Sequence, residues 1–68
     1  MTATAEFSVT GMTCAHCVAS VTEEVQEIDG VTDVAVDLAS GGLRVTSEQP
    51  LSDAEVQAAV EEAGYRLA

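Results

Sequence analysis

Two periods of apolar residues alternate along this chain, and their order constrains the fold more tightly than any other feature. Ala5, Phe7 and Val9 alternate with Glu6 and Ser8, which predicts a half-buried strand over 3–9. Thr10-Gly11 breaks it, Gly11 permitting backbone angles that a larger residue resists. From Cys17 the spacing turns helical. Val18, Val21, Val25 and Ile28 share a face, Ser20, Thr22, Glu23, Glu24 and Glu27 lie largely elsewhere, and Asp29-Gly30 ends the helix. Alternation returns at Val34, Val36 and Leu38, set against Ala35 and Asp37. Ser40-Gly41-Gly42 signals a turn, and Leu43 and Val45 around an outward Arg44 complete a hairpin. After the loop Glu48-Gln49-Pro50, the run Ser52-Asp53-Ala54-Glu55 matches a capping box, with Leu51 and Val56 placed as a hydrophobic staple. Val56, Ala59, Val60 and Ala63 form the buried stripe of this second helix, Gly64 ends it, and 65–68 is just long enough for a closing edge strand.

Strand, helix, strand, strand, helix, strand is the split-βαβ order. The predicted class is α+β: a ferredoxin-like βαββαβ sandwich, a four-stranded antiparallel sheet with both amphipathic helices on one face. Sixty-eight residues leave room for a single domain, 1–68, at the small end of what folds alone. With one Phe, one Tyr and no Trp, the core must come from Val, Leu, Ile and Ala, and a large enclosed active site does not fit. Twelve acids against two arginines give a net charge of −10. That balance excludes nucleic acid, whose phosphates need Lys and Arg, and disfavours an anionic membrane surface. The longest apolar run is three residues, against about 20 for a membrane span. The first basic residue is Arg44, so the basic start of a secretory signal is missing. The expected location is the cytoplasm, without direct membrane insertion.

Chemistry concentrates in Gly11-Met12-Thr13-Cys14-Ala15-His16-Cys17, where the only cysteines of the chain stand in C-x-x-C spacing between a strand and a helix. Free N–H groups and the positive end of the helix dipole favour thiolates there. Four chemistries compete for the pair. A structural disulfide would close a very short loop in a chain without an export signal. Thiol–disulfide exchange belongs with a larger thioredoxin-like fold, an aromatic before the first cysteine and a proline facing the thiols; Pro50 instead opens a polar loop. Structural zinc needs about four ligands, and the chain offers Cys14, Cys17 and at most His16. A soft ion of low coordination number remains the preferred reading: thiolates select Cu(I), which is content with two sulfurs and stays open to a third.

The same residues carry a family resemblance. Gly-Met-Thr-Cys-x-x-Cys at 11–17, Val21 and Val25, Gly30-Val31 before Val34 and Val36, and Ala63-Gly64-Tyr65 together resemble the heavy-metal-associated domains. These comprise small cytosolic copper chaperones and the N-terminal domains of metal-transporting P-type ATPases. The resemblance implies Cu(I) bound by Cys14 and Cys17 and passed by thiolate exchange to a partner domain of the same fold, with no catalysis. It implies that Met12 packs inward and anchors the loop, and that Tyr65 stands beside the metal loop with its hydroxyl toward Cys17, as in bacterial members. Thr13 stands where zinc-selective relatives often carry Asp, and its neutrality favours copper. His16 is expected as an exposed imidazole that modulates the thiolates; the alternative is a ligand across a copper-bridged homodimer.

A free-standing copper chaperone serving a copper-transporting P-type ATPase is the expected function, because the chain begins at Met1 and ends with its last strand. The alternatives are an excised N-terminal domain of such an ATPase, a mercury-binding relative, or a dithiol oxidoreductase. Between Glu6 and Glu23 no acid or fixed base occurs, so the expected docking tip is neutral. Only Glu61 and Glu62 are expected to come round toward the metal end, and the remaining acids form a solubilising coat that steers a basic partner.

Overall fold

Alternation over Ala3–Thr10 builds β1, whose inward side chains end in the buried Val9 while Thr4, Glu6, Ser8 and Thr10 face outward. The computed structural model describes residues 2–68; Met1 lies outside the described residues. After β1 come α1 (Ala15–Gln26), β2 (Val31–Asp37), β3 (Gly42–Ser47), α2 (Asp53–Glu62) and β4 (Arg66–Leu67). The strands lie in the order β2-β3-β1-β4, antiparallel at every pairing. This is the ferredoxin-like arrangement expected from the two periods. Ala5 pairs with Val45 and Phe7 with Leu43, while Val34 and Val36 meet the same two β3 residues from the other side. The helices cover the inner face. Val21 and Val25 of α1 and Val56, Ala59 and Val60 of α2 join Val9, Leu43 and Val45 in one buried cluster. Fully burying such a Val or Leu side chain contributes roughly 1.5–3 kcal/mol, so this small aliphatic set carries the fold. Among the described residues, no helix is long and apolar enough to cross a membrane.

Several boundaries differ from the periodic reading, each for a local reason. Helix α1 starts at Ala15, ahead of Cys17, because the extended Cys14 acts as N-cap residue and its carbonyl accepts from the Cys17 and Val18 N–H groups. It stops at Gln26. The Ile28 N–H still donates to the Val25 carbonyl, and Gly30, at φ +90°, reverses the chain into β2. Leu38 is not part of β2. The Asp37 carboxylate accepts from the Ala39 N–H and the Asp37 carbonyl from that of Gly41, which ends the strand and leaves Leu38 exposed in the turn. The closing strand is only Arg66–Leu67. Helix α2 begins where its cap predicts, the Ser52 hydroxyl accepting from the Glu55 N–H.

Three connections gather at one pole: the β1–α1 loop, the β2–β3 turn and the α2–β4 junction. The Val9 N–H donates to the Gly41 carbonyl, tying the turn to the end of β1. Gly41 has φ +76°, and a Cβ there would stand 2.7 Å from the Val9 oxygen, so the tie requires glycine. At the α2–β4 junction the Gly64 N–H donates to the Glu61 carbonyl and the Tyr65 N–H to that of Val60, the paired bonds of a Schellman motif. This geometry delivers Tyr65 beside Gly11. The turn also carries Asp37 to this pole, which corrects the expectation that only Glu61 and Glu62 approach it.

Candidate metal centre

Gly11, at φ +91°, turns the chain out of β1 and away from the sheet. Met12 then folds back, half-buried against the core cluster. Thr13 and Cys14 are exposed, and Cys17 is half-buried in the first turn of α1. The two sulfurs stand 3.5 Å apart. Cys14 gives α1 no side-chain cap, so the thiol keeps its lone pairs for another partner. No acidic residue lies in the first turn of this helix to oppose a thiolate.

The two thiols differ in their surroundings. The Cys17 thiol is lowered from 9.0 to about 6, first by hydrogen bonding from the Thr13 backbone, then by the Tyr65 side chain and the Cys14 thiol. Partial burial opposes these, and the Cys14 backbone adds a smaller contribution in their favour. The Thr13 hydroxyl is a more distant neighbour, 3.9 Å from the Cys17 sulfur. Tyr65 reports the same contact from its own side. Its phenol is raised, first by side-chain hydrogen bonding with Cys17, with burial and the cysteine charges pushing the same way. The donors around Cys17 thus favour its thiolate form.

His16 lies exposed on the first turn of α1, and its carbonyl accepts from the Ser20 hydroxyl. The structure thus brings Thr13, Cys14, Cys17 and Tyr65 together, with Met12 beneath the loop and His16 on the exposed helical surface beside it. Sequence reading missed the Thr13 backbone as the strongest influence on Cys17; such a contact depends on how the loop folds over the first helical turn. Among the described residues, no group of three or more His, Cys, Asp or Glu side chains is placed to hold a metal ion. The candidate donors that the structure brings together are the two thiols. A metal–thiolate bond of about 2.3 Å lets one ion touch both, since their separation is less than twice that length. A closed tetrahedral zinc site is not formed from this set, whereas a soft ion of low coordination number matches its chemistry and its exposure.

The heavy-metal-associated domain family matches residues 6–66. The COP-associated protein of Helicobacter felis is 37% identical over 62 residues, covering 91% of this chain and 94% of that protein. The copper chaperone CopZ of Enterococcus hirae is 42% identical over 62 residues, covering 90% of each. Copper-transporting ATPase 2 of Rhizobium meliloti is 41% identical over 66 residues, covering 96% of this chain but 8% of the ATPase. Among solved structures, a CopZ metallochaperone superposes with a TM-score of 0.90 at 30% identity, covering 97% of this chain and 100% of that one. Oxidized MerP from Ralstonia metallidurans superposes with a TM-score of 0.88, also at 30% identity, covering 100% of this chain and 96% of that one.

Proposed function

The chain belongs to the heavy-metal-associated domain family, and from that premise we propose that it is a CopZ-like copper chaperone: a cytoplasmic, non-catalytic carrier, one domain over 1–68, that holds Cu(I) between Cys14 and Cys17. It passes the ion to the metal-binding domain of a copper-transporting P-type ATPase. The observation that carries this reading is the pair of sulfurs 3.5 Å apart where the exposed β1–α1 loop enters α1, with no group of three or more His, Cys, Asp or Glu side chains placed to hold an ion among the described residues. Soft thiolates match Cu(I), and an under-coordinated cargo ion stays open to attack. Relatives named copper chaperone or copper-transporting ATPase support copper over other soft ions.

Cys17, whose thiol is lowered by its donors, is the resident ligand, and the more exposed Cys14 is the one exchanged first. An incoming partner thiolate forms its bond to the ion as the Cys14 bond breaks. Cys14 leaves the ion as a thiolate, and a second partner thiolate then displaces Cys17. Met12 anchors the loop, Thr13 keeps the site neutral at its side chain, His16 modulates the thiolates from the first turn, and Tyr65 holds Cys17 by its hydroxyl.

A chelator-competition titration tests this. Wild type should saturate near one Cu(I) per chain. Cys14→Ser and Cys17→Ser should each weaken binding well beyond the roughly 10–100-fold that losing an outer partner of a ligand costs. Wild-type affinity in both variants would remove the assignment. The ATPase similarity supports a second reading, in which the same site works as one domain of a longer transporter. Hg(II), another soft ion that thiolates hold, is the competing ion to include in that titration.

A further inference from the structure

Thr10 and Gly11 part the first strand from the loop of the cysteines, and both also act on a residue far along the chain. In the β1–β4 register Val9 faces Leu67 and Thr10 faces Arg66, so Thr10 stands directly opposite the residue after Tyr65. Of the outward hydroxyls of β1, those of Thr4, Ser8 and Thr10, only that of Thr10 has a hydrogen-bond partner among the described residues. It donates to the Arg66 carbonyl at 3.3 Å. Gly11 meets Tyr65 itself. A Cβ added at Gly11 would stand 3.5 Å from Cδ1 of Tyr65, so the ring lies against the bare backbone at the base of the loop.

Tyr65 is therefore held on several sides. Before it, the Gly64 and Tyr65 N–H groups donate to the Glu61 and Val60 carbonyls. After it, strand pairing and the Thr10 hydroxyl fix the Arg66 backbone to β1. Its half-buried ring packs on the core cluster and on Gly11. Groups that orient a ligand need to be held within roughly 0.5 Å of their working position, and outer partners of this kind tune how the ligand holds its ion. We propose that Thr10 is a positioning residue for the thiol pair: its hydroxyl fixes the backbone of Arg66 and so keeps the Tyr65 side chain beside Cys17. Thr10 acts at one remove from the sulfurs, through Arg66 and Tyr65. The inference rests on Cys14 and Cys17 being the ligands of the cargo ion, as proposed above. The ordinary role of a threonine in a strand is the opposite one, in which the branched shape matters and the hydroxyl does not.

The two roles order the same variants differently. Thr10→Val keeps the branched shape and deletes the hydroxyl, whereas Thr10→Ser keeps the hydroxyl and deletes the methyl. The chain has a single tyrosine, so its ring signals in the NMR spectrum belong to Tyr65 alone. In the full metal-free chain, the nuclear Overhauser contact between the Tyr65 ring and the Gly11 Hα should persist in Thr10→Ser and weaken in Thr10→Val. Amide shifts outside 9–11 and 64–67 should stay native in both. Loaded with Cu(I), Thr10→Val should release the ion to excess chelator up to about fivefold faster than wild type, the worth of roughly one net hydrogen bond. Thr10→Ser should release it at the wild-type rate. With Tyr65→Phe already present, Thr10→Val should add no further change, because both act through one side chain. A native ring contact in Thr10→Val, a Thr10→Ser as impaired as Thr10→Val, or additive effects in the double variant would overturn the proposal. Failure of the wild type to hold Cu(I) would instead remove the functional reading, and the metal-free comparison would still decide whether Thr10 places Tyr65.

Discussion

Cys14 and Cys17 are separated by 3.5 Å yet differ in what holds them. Cys17 sits among the donors of Thr13 and Tyr65, and its thiol is lowered from 9.0 to about 6. A lowered thiol stabilises the folded state fully above the ordinary thiol value, and that contribution is lost as pH falls through about 6. Alkylation of Cys17 should therefore follow a titration near pH 6. Tyr65→Phe, which deletes one donor, should move that midpoint upward with the fold unchanged. Rate-versus-pH profiles of site-resolved alkylation measure both, and coincident midpoints would show that the hydroxyl contributes nothing. At this scale the spacing of Cys14 and Cys17 was plain in the sequence. Their inequality was not, because it comes from a residue far along the chain and from the backbone of Thr13.

Within the elements, the second helix was the most legible. Ser52 caps it, and Val56, Ala59 and Val60 bury where their spacing places them, because capping and periodicity are local properties. Features set by tertiary contact were hidden. Leu38 follows the alternation of Val34 and Val36, yet the Asp37 side chain ends the strand before it. The Gly41–Val9 tie joins segments whose meeting no local pattern announces. Charge along the helix seam was equally hidden. Glu24 is half-buried, and its carboxyl is raised above the ordinary 4.5 by partial burial, then by Glu27, Glu62 from across the seam, and Glu23. The folded state thus holds this proton more tightly than the unfolded chain, so stability falls as pH rises through the carboxylate range. Glu24→Gln should raise the Tm at neutral pH, with its advantage over wild type shrinking as the solution is acidified. Thermal melts of the two proteins across that range measure it; a constant difference would exclude Glu24 as the source.

Over the whole molecule the charges are unevenly spread. Carboxylates crowd the helices at Glu23, Glu24, Glu27, Asp53, Glu55, Glu61 and Glu62, while the two arginines, Arg44 and Arg66, lie on strands. Glu6 and Arg44 stand 3.9 Å apart on the exposed outer sheet face, where such a pair contributes little. No carboxylate is among the groups that shift Cys17. If a basic partner receives the ion, the transfer rate should fall as salt shortens the Debye length from about 10 Å at 0.1 M, while chelator affinity stays constant. Stopped-flow transfer at several ionic strengths reads this, and a flat rate would deny the acids any steering role. The pole itself is assembled from distant stretches of sequence, since the Schellman turn after α2 is what brings Tyr65 against Gly11 and Cys17. During synthesis both cysteines therefore emerge long before the tyrosine. Until α2 has formed and capped, the nascent chain displays a bare dithiol lacking one of the donors that later lower Cys17. The site has a birth order: thiols first, their tuning last.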